Sequence, residues 1–134
     1  MLKQITVYAE NKKGTMKDIT GILAGHDINI WGSVTNDGAE YGINRMVVSD
    51  PDKAKEVLTE RGYLCRFVDV LAVEIEDKPG ALNTLLTALL DSNVNVDYTY
   101  LSFNRDSSTP VMILHTADPE EVEICLKAKG FKMV

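Results

Sequence analysis

Cysteine is scarce in this chain of 134 residues: only Cys65 and Cys125 are present, too few for the disulfide framework of a small secreted scaffold. Histidine occurs twice and tryptophan once, which leaves little material for a metal centre or an aromatic stacking platform. No apolar run approaches the roughly 18 residues of a membrane-spanning helix. The first ten residues, "MLKQITVYAE", lack the apolar stretch of a signal peptide. Basic residues are outnumbered, 14 against 20 acidic, for a net charge of −6. Nucleic-acid binding relies on neutralising phosphates, and anionic membranes attract basic patches, so both partners are disfavoured. A cytoplasmic location is expected. Apolar residues reach 45%, enough for a packed core. The length suits one ordinary domain or two very small ones.

The chain is written twice. "ENKKGTM" begins at Glu10 and "EDKPGAL" at Glu76, 66 residues later. "INI" at Ile28–Ile30 and "VNV" at Val94–Val96 keep that offset. "DPD" at Asp50 and "DPE" at Asp118 are 68 apart, as are Gly62-Tyr63 and Gly130-Phe131. The second copy therefore has two extra residues between its "VNV" and its "DPE", an insertion best tolerated at a hairpin tip. The two cysteines do not match between copies and are expected to be reduced core thiols.

Each copy begins with an alternating pattern. Ile5, Val7 and Ala9 alternate with Gln4, Thr6 and Tyr8, and Leu71, Val73 and Ile75 behave alike, each predicting a half-buried strand. A helix follows, with apolar Met16, Ile19, Ile22 and Leu23 and a stop at Gly25. Its twin carries Leu82, Leu85, Leu86, Leu89 and Leu90 as one apolar stripe. Two strands surround a turn, "TNDGAE" in the first copy, where Asn36-Asp37-Gly38 supplies positive φ, and "NRDSST" in the second. Asp50 and Asp118 then cap helices with Pro51 and Pro119 in the first turn, and Glu121 stands where a capping box wants it. Gly62 and Gly130 close these helices before a short last strand.

The order β-α-β-β-α-β, twice, predicts an α+β protein of two ferredoxin-like units, residues 1–67 and 68–134, packed side by side. Each has an antiparallel sheet with helices on one face. Helices are expected over 15–25, 51–61, 81–91 and 119–129. Alternation along the second strand sends Ile28 and Ile30 toward the helices and Trp31 to the open face, with Leu101 and Phe103 on that open face in the second copy. Exposed apolar groups there predict a homodimer.

A soft-metal chaperone needs paired cysteines in the first strand-helix loop, and neither loop has cysteine or histidine. An RNA-binding sheet wants exposed aromatics and basic charge; Tyr8 is matched by Glu74, and the chain is acidic. Lys12 and Lys13 read as solvated surface rather than a phosphate clamp. His26 falls at a helix end, and His115 in a strand without an evident partner. No nucleophile-base arrangement assembles, so no catalysis, metal or cofactor is expected. The loops remain. Each reads Glu-Asn/Asp-x-x-Gly before a helix whose N-terminus suits a carboxylate, while Asn11 or Asp77 suits an ammonium. That is an inventory for an amino-acid head group, although the same residues also serve a plain helix start.

"ENKKGTM…LAGHDINI" and "EDKPGAL…LLDSNVNV" resemble the signature of the ACT domain, an N/D-x-P-G-x-L loop, a helix and an h-N-I strand start. The resemblance spans the whole chain as two tandem ACT units, most like small stand-alone tandem ACT proteins. It implies a regulatory, non-catalytic module that binds a free amino acid between the first loop of one unit and the second-strand start of another. The site residues it implies are Asn11, Lys12, Lys13, Gly14, Thr15, Met16, Asn29 and Ile30, with Asp77, Lys78, Pro79, Gly80, Ala81, Leu82, Asn95 and Val96. Asn11 and Gly14 would share a site with Asn95, and Asp77 and Gly80 one with Asn29. Unit one departs from the signature with Lys13, Thr15 and Met16; unit two keeps Pro79, Ala81 and Leu82. Ala9 and Ile75 stand where some members carry a polar residue. The implied partners are an amino-acid effector, a second copy and a separate regulated protein. The alternative is a structural dimerisation module with a degenerate pocket.

Overall fold

The computed structural model describes residues 1–36 and 41–134, so Asp37 and Gly38 of the expected turn lie outside the described residues. The chain divides into two compact units, Lys3–Val68 and Asp69–Val134, the latter with Met1 and Leu2. Both are ferredoxin-like βαββαβ arrangements of the α+β class.

The first unit comprises β1 (Leu2–Glu10), α1 (Thr15–Gly25), β2 (Ile30–Asn36), β3 (Tyr41–Val48), α2 (Pro51–Glu60) and the start of β4 (Leu64–Glu74). β3 pairs antiparallel with both β1 and β2. Its core joins Ile5 and Val7 of β1 and Met46 and Val48 of β3 to Ile19, Ile22 and Leu23 of α1 and Ala54, Val57 and Leu58 of α2. Both helices thus cover one face of the sheet. Tyr63, after α2, donates a hydrogen bond from its hydroxyl to the Asp18 carboxylate of α1.

The second unit continues β4 and adds α3 (Ala81–Asp91), β5 (Tyr98–Phe103), β6 (Pro110–His115), α4 (Pro119–Ala128) and β7 (Lys132–Met133). Its strand order is β5-β6-β4-β7, all antiparallel, with β4 and β6 central. Leu71, Val73, Met112 and Leu114 meet Leu85 and Leu89 of α3 and Val122 and Leu126 of α4. The β5–β6 connection spans residues 104–109; the counterpart turn that the insertion is measured against lies outside the described residues.

The structure corrects several local expectations. Gln4 and Thr6 are buried along with Ile5 and Val7, and the Gln4 amide donates to the Thr6 hydroxyl at 2.9 Å. Strand β1 is therefore buried on both faces. The left-handed residues that end α1 and α3 are Asp27 and Asn93, 66 residues apart, rather than Gly25. Asp50 accepts from the Lys53 N–H at 3.1 Å, whereas Asp118 holds the cap position without a side-chain bond. Cys65 is a buried thiol, but Cys125 is only half-buried and donates to the Ser92 hydroxyl at 3.1 Å. His115 has partners: Asp97 at 2.9 Å and the stacked ring of Tyr98.

The face assigned to Leu101 and Phe103 is also corrected. Leu101 lies opposite Met112, and Phe103 opposite Pro110, so both share the helix-side face. Tyr100 and Ser102 take the other face and are buried. The strand register is irregular where β2 begins, between Ile30 and Gly32. One extra residue there reverses the alternation that runs out from "INI". Of the α3 leucines, only Leu85 and Leu89 are fully buried; Leu82 and Leu86 stay exposed near Leu101 and Phe103, and Leu90 is exposed as well.

Candidate functional site

The two repeated loops have one backbone form. Gly14 precedes α1 at φ 91°, and Gly80 precedes α3 at φ 87°, both left-handed. An added Cβ would meet nothing within 4 Å at either position. Glycine is therefore required for conformation rather than for space. The Thr15 N–H bonds to the Lys12 carbonyl at 3.3 Å, and the Ala81 N–H to the Lys78 carbonyl at 3.2 Å. The next N–H groups of each first turn lack an intrahelical acceptor by helix geometry, and neither helix has a side-chain cap. Each loop repeats an exposed ion pair, Lys12–Glu10 at 3.4 Å and Lys78–Glu76 at 2.6 Å. Such exposed pairs contribute little to stability, about 0–1 kcal/mol.

In the second unit the loop borders a cavity of about 640 Å³. Asp77, Lys78, Gly80, Ala81 and Leu82 line one side; Leu86, Leu101, Phe103 and Pro110 line the other. Polar loop and apolar wall suit a ligand with a charged head and an apolar tail. At the same place in the first unit only about 50 Å³ remains, bordered by Asn11, Lys12, Thr15, Met16, Thr35 and Asn44. The Met16 thioether fills it, accepting from the Thr35 hydroxyl at 3.4 Å and from the Asn44 amide. Lys13 and Pro79 are exposed parts of the loops that line neither cavity.

The strand-start residues lie apart from the loop cavity of their own unit. The Asn29 backbone is held by Ser49 through two bonds of 2.9 Å, and Ile30 packs against the core. Val96 also packs against the core. Asn95 donates to Asp97 at 3.2 Å and borders a separate cavity of about 420 Å³ with Thr116, Asp118 and Glu121. Among the described residues, no group of three His, Cys, Asp or Glu could hold a metal ion. No helix among them is long and apolar enough to cross a membrane.

Sequence reasoning missed Thr35, Asn44, Leu86, Leu101, Phe103 and Pro110 as cavity residues. The signal was available in the repeat: Thr35 corresponds to Leu101 at offset 66, and Asn44 to Met112 at offset 68.

A family model for the ACT domain pair matches residues 1–133. The chain belongs to the ACT domain pair family. No curated protein matches it. Among solved structures, protein BT0572 from Bacteroides thetaiotaomicron is 28% identical with a TM-score of 0.90, covering 99% of this chain and 91% of its own. The regulatory subunit of aspartate kinase from Thermus thermophilus, in its ligand-free form, is 16% identical with a TM-score of 0.68, covering 94% and 89%. Its counterpart from Thermus flavus is 18% identical with a TM-score of 0.64, covering 94% and 88%. The last two likenesses concern the fold. ACT units are regulatory rather than catalytic modules.

Proposed function

We propose that this ACT pair is a non-catalytic regulatory module that binds a free amino acid at its β–α loops. The observation that carries the reading is the cavity of about 640 Å³ at the Asp77–Leu82 loop, polar at the helix start and apolar beyond. First-turn N–H groups of α3 take the carboxylate, and Asp77 takes the ammonium. The ligand side chain lies along Leu82, Leu86 and Leu101. The cavity is open on one side, so a second ACT unit is proposed to complete it, with Asn29 or Asn95 and their neighbours Ile30 or Val96 contributing. Exposed Leu90, Leu101 and Phe103 support a homodimer. A separate cytoplasmic protein is the proposed target of regulation, as aspartate kinase is for the regulatory subunits from Thermus thermophilus and Thermus flavus.

A thermal-shift screen against the twenty amino acids tests the reading. A ligand is expected to raise the midpoint, and Asp77→Ala is expected to weaken that ligand about 10- to 150-fold with the fold intact. Light scattering checks the dimer; a monomer at micromolar concentration refutes it. The second reading is a dimerisation module with a degenerate pocket. Met16 filling the first loop cavity favours it. Absence of any binding in the screen would establish it over the first.

A further inference from the structure

Asn44 stands on the helix-side face of β3, in line with Met46 and Val48, and is 2% exposed. Its counterpart in the second unit is the core residue Met112. A buried carboxamide in a core position demands partners for both its ends. The Asn44 amide has one, the Met16 thioether, and thioether sulfur is a weak acceptor. The Asn44 Oδ1 has no hydrogen-bond partner among the described residues. Turning the amide over exchanges which atom goes unpaired and sets oxygen against sulfur. The Thr35 hydroxyl, where the second unit has Leu101, also donates to Met16. Two donors thus converge on one weak acceptor, next to an unused carbonyl, in a cavity bordered by the Asn11–Met16 loop.

We infer that the first unit's loop cavity is a site for an amino acid whose side chain both accepts and donates hydrogen bonds, a carboxamide or a hydroxyl, and that Met16 is its displaceable lid. This rests on the amino-acid reading of the loops. A carboxamide pairs with Asn44 at both ends, its oxygen taking the Nδ2 donor and its N–H satisfying Oδ1. A hydroxyl accepts from Thr35 or Nδ2 and donates to Oδ1. Met16 is more than a third exposed, so its side chain has open space to move into. Its unbranched thioether adapts readily. The second unit has Leu82, Leu101 and Met112 at the matching positions, with no polar group to recognise such a side chain. The two copies therefore differ in selectivity.

The test titrates the full chain calorimetrically with asparagine, glutamine, serine and threonine, and with leucine and phenylalanine. At least one of the four polar amino acids is expected to bind. Asn44→Met, which copies the second unit, is expected to weaken that ligand at least about 10-fold. The same change is expected to raise the melting midpoint by about 2–8 °C, because it removes an unpaired buried carbonyl. Met16→Ala is expected to tighten binding about 3- to 10-fold, because no lid has to be displaced. Binding of leucine or phenylalanine with none of the four polar ligands overturns the inference and leaves the general reading standing. So does polar binding unchanged by Asn44→Met, or a lowered midpoint in that variant, or Met16→Ala binding no tighter than wild type. Failure of all six overturns the inference, and failure of all twenty amino acids in the thermal-shift screen overturns the general reading as well.

Discussion

Replacing Gly80 by alanine separates a conformational requirement from a steric one. Gly80 sits at φ 87°, and an added Cβ would meet no atom within 4 Å. The cost of alanine is therefore the left-handed backbone itself, about 1–2 kcal/mol. Alanine also restricts the unfolded chain, which offsets about 0.4–1 kcal/mol in compatible positions. A net loss of about 1 kcal/mol follows, or a midpoint lower by about 2–8 °C for a chain of this size. Asparagine tolerates the left-handed region better, so Gly80→Asn should cost less than Gly80→Ala. Urea unfolding of the three proteins measures both differences. If alanine were as stable as glycine, or asparagine worse than alanine, the left-handed loop would not be what selects glycine here. Gly14, at φ 91° with equally open space, should give the same ordering.

Asp50→Ala should cost about 0.5–2 kcal/mol because the carboxylate accepts from the Lys53 N–H, whereas Asp118→Ala should cost less, having no such bond to lose; equal costs in denaturant unfolding would contradict the cap assignment. The hydrogen bond from Tyr63 to Asp18, followed by burial, pushes the Tyr63 phenol from 10.0 up to about 12. Its folded value lies above its unfolded one, so the bond stabilises below the unfolded value and is lost as pH rises through about 12. Ultraviolet titration of Tyr63→Phe should lack the last tyrosinate step seen in wild type, and an unchanged final step would contradict the assignment. Leu101→Asp should leave the fold intact, since Leu101 is half exposed, while disrupting the dimer in light scattering; an intact dimer would place that interface elsewhere.

The fold was legible because the repeat doubled every local signal. Loop glycines, Asp-Pro helix starts and closing glycines recur at fixed offsets, and each occupies its expected element. What failed to show was tertiary. Alternation is a local rule, and one irregularity near Ile30 and Gly32 resets it for the rest of the strand. In the second unit Val96 packs against the core and Leu101, five residues on, also shares the helix-side face, so the alternation does not carry from "VNV" into β5, and Leu101 and Phe103 line the cavity instead of an open face. Gln4 and Thr6 look solvent-facing by pattern, yet both are buried. The loop half of the site was readable from head-group chemistry. The side-chain half was not, because Thr35 and Asn44 lie 19 and 28 residues from Met16 and meet it only after the sheet forms.

Calorimetric titration of the intact chain with each of the twenty amino acids tests the central claim most directly. The account predicts saturable binding of at least one, abolished or strongly weakened by substitutions in the Asn11–Thr15 or Asp77–Leu82 loops. At about 100 times its dissociation constant that ligand should also stabilise the fold by about 2.7 kcal/mol. No heat and no stabilisation from any amino acid at roughly 10 mM, a concentration that would reveal even weak sites, would contradict it.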